Sequence, residues 1–225
     1  MTKKKMTELD VARIYKARFS PEERVKKEAI WRVLCSDFFQ RYVKSDDTVL
    51  DIGAGYCEFI NNIVCARKIA LDINEDTALY AASDVQVLHY LSDDMRPISD
   101  SSIDVVFISN FFEHLPDKET FIRTIREVHR ILRIGGRILV LQPNIRFIPG
   151  EYWDFLDHHI PLTDRTIVEG LTVCGIRPIE VRPRFLPYTT KSLFPQHPLL
   201  VKIYLRIGLL HRLFGAQAWI VGIKD

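Results

Sequence analysis

The most informative chemical feature of this sequence is an acidic residue that comes just before two closely spaced glycines. Asp51 lies in the short apolar run 49–52, which has the composition of a buried parallel strand, and Gly53 and Gly55 follow it directly. Gly53 permits a tight turn, and the missing side chain of Gly55 lets a ligand approach the backbone closely. Helical spacing over 59–64 predicts a helix whose N-terminus offers free N–H groups. A strand, a glycine turn and a helix in this order predict a nucleotide-binding element.

A second acidic residue predicts how the sugar of that nucleotide would be held. Residues 68–73 form the next predicted strand, and Asp72 stands near its end, 21 residues after Asp51. An acid at the tip of the second strand can accept hydrogen bonds from the ribose hydroxyl groups. Dinucleotide-dependent dehydrogenases share this acid, but Asp51 and Glu58 would repel a pyrophosphate beside the glycines. Asp51 instead lies where a bound amino-acid ammonium group is expected.

These residues resemble the first motifs of class I S-adenosylmethionine-dependent methyltransferases, in particular their small-molecule, type-11-like branch. The stretch Asp51-Ile-Gly-Ala-Gly is similar to the first motif, and Asp72 is similar to the ribose-binding acid. Cys57 departs from the family, which often has a third glycine there. The resemblance implies S-adenosyl-L-methionine as the cofactor. It implies cofactor contacts in this first part of the chain from Asp51, Gly53, Ala54, Gly55, Asp72 and Ile73.

Two later positions are expected, by the same resemblance, to contact other parts of the cofactor. The predicted third strand is followed by the acidic loop Ser92-Asp93-Asp94, where an acid of the family binds the adenine amine. Asp93 is the first choice for this acid, and Ser92 and Asp94 stay open because the sequence does not define the register of the loop. The strand predicted over 101–110 ends at Asn110, which should lie beside the methionine part of the cofactor.

Three histidines are the candidate catalytic residues. His114 follows the fourth predicted strand in the stretch Phe112-Glu-His-Leu-Pro116, which is similar to a family motif with an acid–His pair. An unperturbed imidazole titrates near neutral pH, so His114 could act as a general base, or it could only hold the loop. His158 and His159 lie in an aromatic loop after the fifth predicted strand and could act as a base, contact a substrate or be structural. No third ligand accompanies this pair in the sequence, so no metal site is predicted.

The bulk composition is that of an ordinary folded protein. Its 225 residues, 47% of them hydrophobic and 27% charged, predict a single domain over 1–225 with a helical extension over 1–44. A capping box at Ser20-Pro-Glu-Glu23 predicts the start of a helix that covers the sheet. Four cysteines without C-x-x-C spacing, no apolar signal-peptide core and no membrane-spanning apolar run favour a cytoplasmic protein.

Strand and helix patterns alternate along the chain, which predicts an α/β fold. A helix from Asp117, stopped by the glycines at 135–136, precedes a strand over 137–142 in an order that closely resembles the family's later motif. The resemblance implies a Rossmann-like doubly wound sheet that is mostly parallel with a final antiparallel strand. Strands predicted over 176–185 and 217–224 would form that antiparallel end.

A basic, apolar insertion over about 186–215 separates the last two predicted strands. Val181 to Lys224 contains no acidic residue and carries a charge of +7, although the whole chain has a net charge of only +2. An apolar helix is predicted over 199–214. We hypothesise a substrate-side cap for an anionic or lipid-linked acceptor, or contact with an anionic membrane surface. A helix that completes the core, or a homodimer interface, is the plainer alternative.

The resemblance implies in-line transfer of a methyl group from the cofactor's sulfonium to a small molecule, with an oxygen nucleophile favoured. Alignment of donor and acceptor can contribute about 7–11 kcal/mol, and a general base roughly 10²–10⁴-fold. The alternatives are an NAD(P)-dependent oxidoreductase of Rossmann type and a noncatalytic S-adenosylmethionine-binding protein. Nucleic acid is disfavoured as the acceptor because the chain lacks an Asn/Asp-Pro-Pro-aromatic motif, although the basic C-terminal stretch keeps RNA as a minor option.

Overall fold

The structure, a computed structural model, describes residues 21–188 and 197–225 of the chain. Its strands are β1 (Thr48–Ile52), β2 (Arg67–Leu71), β3 (Val85–Leu88), β4 (Ile103–Ser109), β5 (Leu132–Pro143), β6 (Ile176–Arg182) and β7 (Gln217–Lys224). The α-helices are α1 (Pro21–Asp37), α2 (Lys118–Ile131), α3 (Asp164–Val173), α4 (Pro198–Arg206) and α5 (Gly208–Phe214). Short 3₁₀ turns at 39–42, 75–79, 112–114 and 151–153 complete the regular structure.

All of these strands belong to one sheet with the order β3-β2-β1-β4-β5-β7-β6. Strands β1 to β5 pair in parallel, and β7 runs antiparallel to both β5 and β6. This arrangement confirms the predicted Rossmann-like α/β sheet with a final antiparallel strand. The carboxyl ends of β1, β2, β4 and β5 therefore meet at one edge. Strand β7 begins at the same edge, because Gln217 pairs with Pro143 at the end of β5.

The two faces of the sheet carry separate hydrophobic cores. Side chains alternate along β1, so Leu50 and Ile52 pack with residues of α2 and α3, while Val49 packs with residues of α1 and α4. Burying a large apolar side chain stabilises a fold by roughly 1.5–3 kcal/mol. In the second core Phe38 and Trp219 are both fully buried and lie with their ring centroids 5.2 Å apart. These cores hold the strand ends in place at the edge where ligands bind in such sheets.

The predicted helix over 59–64 is wrong, because this segment forms a series of turns. The side-chain amide of Asn62 donates to the carbonyl of Glu58 at 2.8 Å, the acceptor that the backbone N–H of Asn62 would use in an α-helix. The backbone N–H of Asn62 bonds to the carbonyl of Phe59 instead. A tight loop with a polar side chain inside it thus replaces the helix.

The predicted glycine stop of the helix before β5 is also wrong. Helix α2 ends at Ile131 and β5 begins at the next residue, so Gly135 lies inside the strand region with φ +76°. The ammonium group of Lys224 donates to the carbonyls of His129 and Leu132, both at 2.8 Å, and stabilises the helix end. Lys224, from the last strand, therefore caps the helix end, a role that the sequence-based prediction assigns to glycine.

The insertion contains two helices where the sequence predicts one. The backbone of Ile207, with φ −110° and ψ 92°, is extended and separates α4 from α5. The hydroxyl of Tyr204 donates to the carbonyl of Phe185 at 2.6 Å, and the ring of His211 contacts Phe185 edge-on. The inner face of the insertion thus joins the second core. The predicted cap at Ser20 lies outside the described residues, and helix α1 begins at Pro21.

Candidate active site

The loop after β1 contains two glycines with positive φ, and a side chain at the first of them would collide with Phe111. Gly53 has φ +71°, its N–H donates to the carbonyl of Leu71 at 2.9 Å, and an added Cβ would lie 2.8 Å from Cγ of Phe111. Gly55 also has a positive φ, of 51°. Ala54, between the two glycines, is buried. The loop therefore packs closely against Phe111, at the start of the segment that follows β4.

Cys57 stands where the family motif often has a third glycine, and it adopts a left-handed backbone conformation that glycine favours. Its φ is +60°, which is rare for a residue with a side chain, and that side chain is fully buried. Burial, with a smaller contribution from the charges of Asp51, Asp72 and Glu58, raises the pKa of the Cys57 thiol to about 12. The thiol therefore stays protonated at neutral pH and acts as a small packing group inside the loop.

Asp72 lies directly after β2 and connects the two loops of the cofactor-binding element. Its Oδ2 accepts from the N–H of Gly55 at 2.8 Å, and its Oδ1 accepts from the N–H of Asn74 at 2.9 Å. Burial raises the pKa of Asp72, while these backbone N–H groups act in the opposite direction. A carboxylate has about four lone-pair directions, so each oxygen can still accept a bond from a ribose hydroxyl.

Asp51 is the most unusual charged group of the site. It is only 3% exposed, and its pKa is raised well above the ordinary value by burial and by the nearby carboxylates of Glu58 and Asp72. Lys27 pairs with Glu58 at 2.9 Å, but no ion pair of the described chain reaches Asp51 or Asp72. Negative charge therefore exceeds positive charge inside this loop, an environment that suits a cationic ligand.

The predicted adenine contacts are all engaged with other parts of the protein. The Ser92 hydroxyl lies 2.8 Å from the Thr124 hydroxyl, Asp93 accepts from Nε of Arg123 at 3.0 Å, and Asp94 accepts from Arg96 at 2.7 and 2.9 Å. These bonds do not distinguish between the three positions, so the residue that contacts the adenine stays a prediction. Of the other predicted cofactor contacts, Ile73 is 37% exposed and Asn110 has a strained φ of +47°.

Glu113, His114 and His158 come together at the carboxyl edge of the sheet. One donor atom of each side chain lies within 4.8 Å of the donor atoms of the other two. The Nδ1 atom of His114 lies 3.0 Å from the carbonyl oxygen of Asp157 and 3.2 Å from its Oδ2. Both partners are acceptors, so Nδ1 carries the proton and Nε2 is left with the lone pair in the neutral ring. Gln142 donates to Oε2 of Glu113 at 2.6 Å.

The electrostatics of the two histidines differ. Burial disfavours the charged form of His114, but the carboxylates of Glu113 and Asp157 outweigh burial and raise its pKa. Burial lowers the pKa of His158, and its Nδ1 is a buried atom without a hydrogen-bond partner. His159 stands apart: its side chain is exposed, although its backbone N–H donates to the carbonyl of Glu113 at 2.8 Å. The structure thus separates the two adjacent histidines.

Sequence reasoning missed two residues of this cluster. Asp157 and Gln142 are buried and position His114 and Glu113, yet neither has a role in the sequence-based prediction. Gln142 carries a signal that could have been used, because a polar residue near the end of an otherwise apolar strand needs a buried partner. Asp157 has no such signal, since its contact with His114 joins loops that are 43 residues apart.

A mostly parallel sheet with a glycine turn after β1, an acid after β2 and an antiparallel β7 defines the class I S-adenosylmethionine-dependent methyltransferase fold. The chain is similar to these proteins, because residues 50–140 match the family described as "Methyltransferase domain". A protein of Mycolicibacterium smegmatis named "Probable S-adenosylmethionine-dependent methyltransferase" is 36% identical over 107 residues, which cover 44% of this chain and 38% of that protein. The chain therefore corresponds to less than half the length of this relative.

Solved structures with the same fold extend over nearly the whole chain. A SAM-dependent methyltransferase from Archaeoglobus fulgidus has a TM-score of 0.61 at 23% identity and covers 95% of this chain and 99% of its own. Geranyl diphosphate C-methyltransferase from Streptomyces coelicolor, solved with Mg²⁺, geranyl diphosphate and S-adenosyl-L-homocysteine, has a TM-score of 0.63 at 14% identity, over 95% of this chain and 88% of its own. The predicted resemblance and its cofactor class are confirmed. Within the described residues no helix is long and apolar enough to cross a membrane.

Proposed function

We propose that this protein transfers the methyl group of S-adenosyl-L-methionine directly to an oxygen atom of a small-molecule acceptor. The observation that carries the proposal is the buried carboxylate of Asp51 beneath the glycine loop, close to Glu58 and Asp72 and without a described cationic partner. The cofactor brings an ammonium group and a sulfonium, so its charge complements this site. A pyrophosphate would add negative charge where carboxylates already repel one another, which disfavours a dinucleotide.

The residues present fit this cofactor. Asp72 offers its remaining lone pairs to the ribose, and Asp51 offers a carboxylate to the ammonium group. The glycines leave space where a Cβ would collide with Phe111. Ile73, exposed directly after Asp72, suits an adenine face, and Asn110 stands at the end of β4 for the methionine part. When bound, the cofactor supplies an electrophilic methyl group on a positively charged sulfur.

The rest of the chemistry belongs to the protein and consists of alignment and proton removal. A hydroxyl acceptor must lose a proton, whereas a carboxylate acceptor need not. The Glu113–His114–His158 cluster supports the first case, because it begins two residues after Phe111, which contacts the glycine loop. The lone pair on His114 Nε2 is able to accept a proton, and Asp157 would stabilise the resulting imidazolium.

The outer face of α4 and α5 supports a lipid-linked or anionic acceptor that is reached at a membrane surface. Leu209 and Leu213 lie one helical turn apart on α5 and are 62% and 59% exposed. Basic side chains accompany these apolar ones, and no acidic residue occurs between Val181 and Lys224. The insertion leaves and rejoins the sheet at its carboxyl edge, since Gln217 is paired with Pro143. Peripheral contact with an anionic bilayer would thus lie near the proposed site.

Calorimetry followed by an acceptor panel tests the proposed function. The purified chain should bind S-adenosyl-L-homocysteine with micromolar affinity and should bind NAD far more weakly. Incubation with S-adenosyl-L-methionine and pooled hydroxy, carboxy and amino compounds, followed by mass spectrometry, should then show a product heavier by one methylene group on oxygen. Preferential binding of NAD would overturn the proposal. Cofactor binding without turnover over the whole panel would instead favour a noncatalytic binding protein.

A further inference from the structure

We propose that Glu113, His114 and His158 form a binding site for one divalent first-row transition-metal ion. Three donor atoms from two separate loops lie within 4.8 Å of one another at this place. Two imidazoles and one carboxylate are a donor set that suits Zn²⁺, Fe²⁺ or Co²⁺, and three protein ligands leave positions open for another molecule. Mg²⁺ and Ca²⁺, which prefer oxygen donors, fit it less well.

The groups around the ligands have the arrangement that metal sites require. Nδ1 of His114 is held by the backbone carbonyl and the carboxylate of Asp157, which leaves Nε2 of that ring as the ligand atom. Oε2 of Glu113 accepts from Gln142, which is fully buried on β5. These hydrogen-bond partners orient His114 and Glu113, and such partners are a regular part of protein metal centres. If the three side chains were held together only by hydrogen bonds to one another, partners such as Asp157 and Gln142 would not be needed.

His158 supplies the independent observation that points to a missing partner. It is 8% exposed, and its Nδ1 is buried without any hydrogen-bond partner. An unpaired buried polar group costs free energy, so native proteins rarely leave one without a function. The ring is packed between Phe155, at 5.0 Å with nearly parallel planes, and Tyr152, at 5.0 Å edge-on. These contacts fix the ring 5.1 Å from that of His114.

The geometry needs only a small adjustment to accept an ion. Zinc lies about 2.0–2.2 Å from nitrogen and oxygen ligands, so the donor atoms must draw together by roughly an ångström from their present separation. Glu113 and His114 both lie in the short 3₁₀ turn over 112–114, so a small shift of this turn toward His158 would draw the three donors together. The role of the ion in turnover rests on the proposed function. The Nε2 lone pair of His114 cannot hold the ion and accept a proton at the same time. With the ion bound, an acceptor hydroxyl on it would therefore lose its proton to water instead of to His114.

Metal titration of the full chain, freed of any affinity tag and treated with a chelator, tests the site. Co²⁺ should bind at one ion per chain with visible absorption bands of a nitrogen–oxygen site, and Zn²⁺ should displace it. His158→Ala and Glu113→Gln should weaken binding at least about 10-fold. His159→Ala is the matched control, because it removes the neighbouring exposed imidazole, and it should bind within a factor of two of the wild type.

Three results would overturn the metal site: no stoichiometric binding at micromolar ion, equal binding by the wild type and His158→Ala, or a thiolate charge-transfer band that assigns the ion to a cysteine. Circular dichroism of each variant shows whether a loss of binding reflects a loss of the fold. If one of the variants Glu113→Gln and His158→Ala does not fold, the other one is used to test the site. Binding of S-adenosyl-L-homocysteine is measured on the same samples. If S-adenosyl-L-homocysteine still binds but no metal ion does, only the proposed metal site is disproved and the proposed function still stands.

Discussion

The backbone N–H of Gly55 donates a hydrogen bond to Oδ2 of Asp72 at 2.8 Å, and so ties the loop after β1 to the loop after β2. The other oxygen of Asp72 accepts from the N–H of Asn74. Both oxygens of one carboxylate therefore face N–H donors before any ligand is present. An amide cannot replace this carboxylate, because its NH₂ group would meet one of the two donors.

We expect Asp72→Asn to weaken S-adenosyl-L-homocysteine binding about 10- to 100-fold. A hydrogen bond to a charged group contributes about 1.5–3 kcal/mol. The affinity reports the bond lost to the ribose, because the bond lost in the loop weakens the free and the bound protein alike. Calorimetry with the wild type and the variant measures the effect. Asp84→Asn is the control, since Asp84 is an exposed carboxylate paired with Lys68 at 2.9 Å, away from the glycine loop. Equal affinities of Asp72→Asn and Asp84→Asn would show that Asp72 does not hold the sugar.

Asp51→Asn is expected to make the free protein more stable at neutral pH and to weaken cofactor binding at least 10-fold. The pKa of Asp51 is raised in the folded state above its value of 3.8 in an unfolded chain. The stabilising contribution of this group is complete below that value and is lost as the pH rises through the folded pKa. The asparagine variant does not ionise, so its advantage in melting temperature should be absent at low pH and should grow toward neutral pH.

Melting curves between pH 4 and 8 test this expectation. Asp84→Asn should behave in the opposite way, because the hydrogen bond from Lys68 lowers the pKa of Asp84 and ionisation there favours the fold. The wild type should also release a proton from Asp51 when a cationic ligand binds, so its affinity should rise with pH, while that of Asp51→Asn should not. An Asp51→Asn variant that binds as tightly as the wild type would disprove the role of Asp51 in ammonium binding.

Gly53→Ala should abolish cofactor binding or destabilise the fold by about 2–5 kcal/mol. A positive φ costs a residue with a side chain roughly 1–2 kcal/mol, and the new methyl group would also collide with the ring of Phe111, an overpacking that typically adds 1–3 kcal/mol. Gly135→Ala is a closely matched control. Its φ of +76° carries the same backbone cost, but no atom lies within 4 Å of the added Cβ. Denaturant unfolding of both variants separates the backbone cost from the cost of the collision with Phe111. Equal losses of unfolding free energy would show that the Phe111 contact is unimportant.

The α/β alternation and the positions of Asp51 at the end of β1 and of Asp72 just after β2 could be predicted because each depends on residues that are close in sequence. The antiparallel β7 was implied by the family resemblance. The continuously buried, apolar strand around Asp51 and the glycine turn after it are local patterns. Gln217–Lys224 was predicted with the bounds that the structure has. Local chemistry and sheet topology agree in this part of the chain, which is why the sequence is informative there.

The errors arose where a distant residue replaces a local signal. Lys224 stabilises the end of α2, more than ninety residues earlier in the chain, so the double glycine is not needed for that purpose. Asn62 bonds to Glu58 through its side chain and turns a helical pattern into a loop. The cluster of Glu113 and His158 is of the same kind, because only the folded sheet brings these two loops together. Neither periodicity nor spacing contains such information.

The outer face of the insertion leads to the last prediction. We expect the double variant Leu209→Ser and Leu213→Ser to lose at least 10-fold in binding to vesicles that contain phosphatidylserine. Each side chain is more than half exposed and could bury its apolar surface in the bilayer interface, a transfer worth roughly 1.5–3 kcal/mol per residue. Surface substitutions of this kind change stability by only about 0.5 kcal/mol, so the fold should be kept. Co-sedimentation measures the binding.

Charge should contribute to the same interaction. Binding by the wild type should fall as salt rises from 0.05 to about 0.5 M, because attraction between Lys or Arg and anionic lipid is screened over roughly a Debye length. Leu79→Ser is the control, since Leu79 is 76% exposed but belongs to the turn after β2. Binding that depends neither on anionic lipid nor on Leu209 and Leu213 would contradict the membrane contact. Concentration-dependent dimerisation that these two substitutions abolish would assign the face to a second copy of the chain instead.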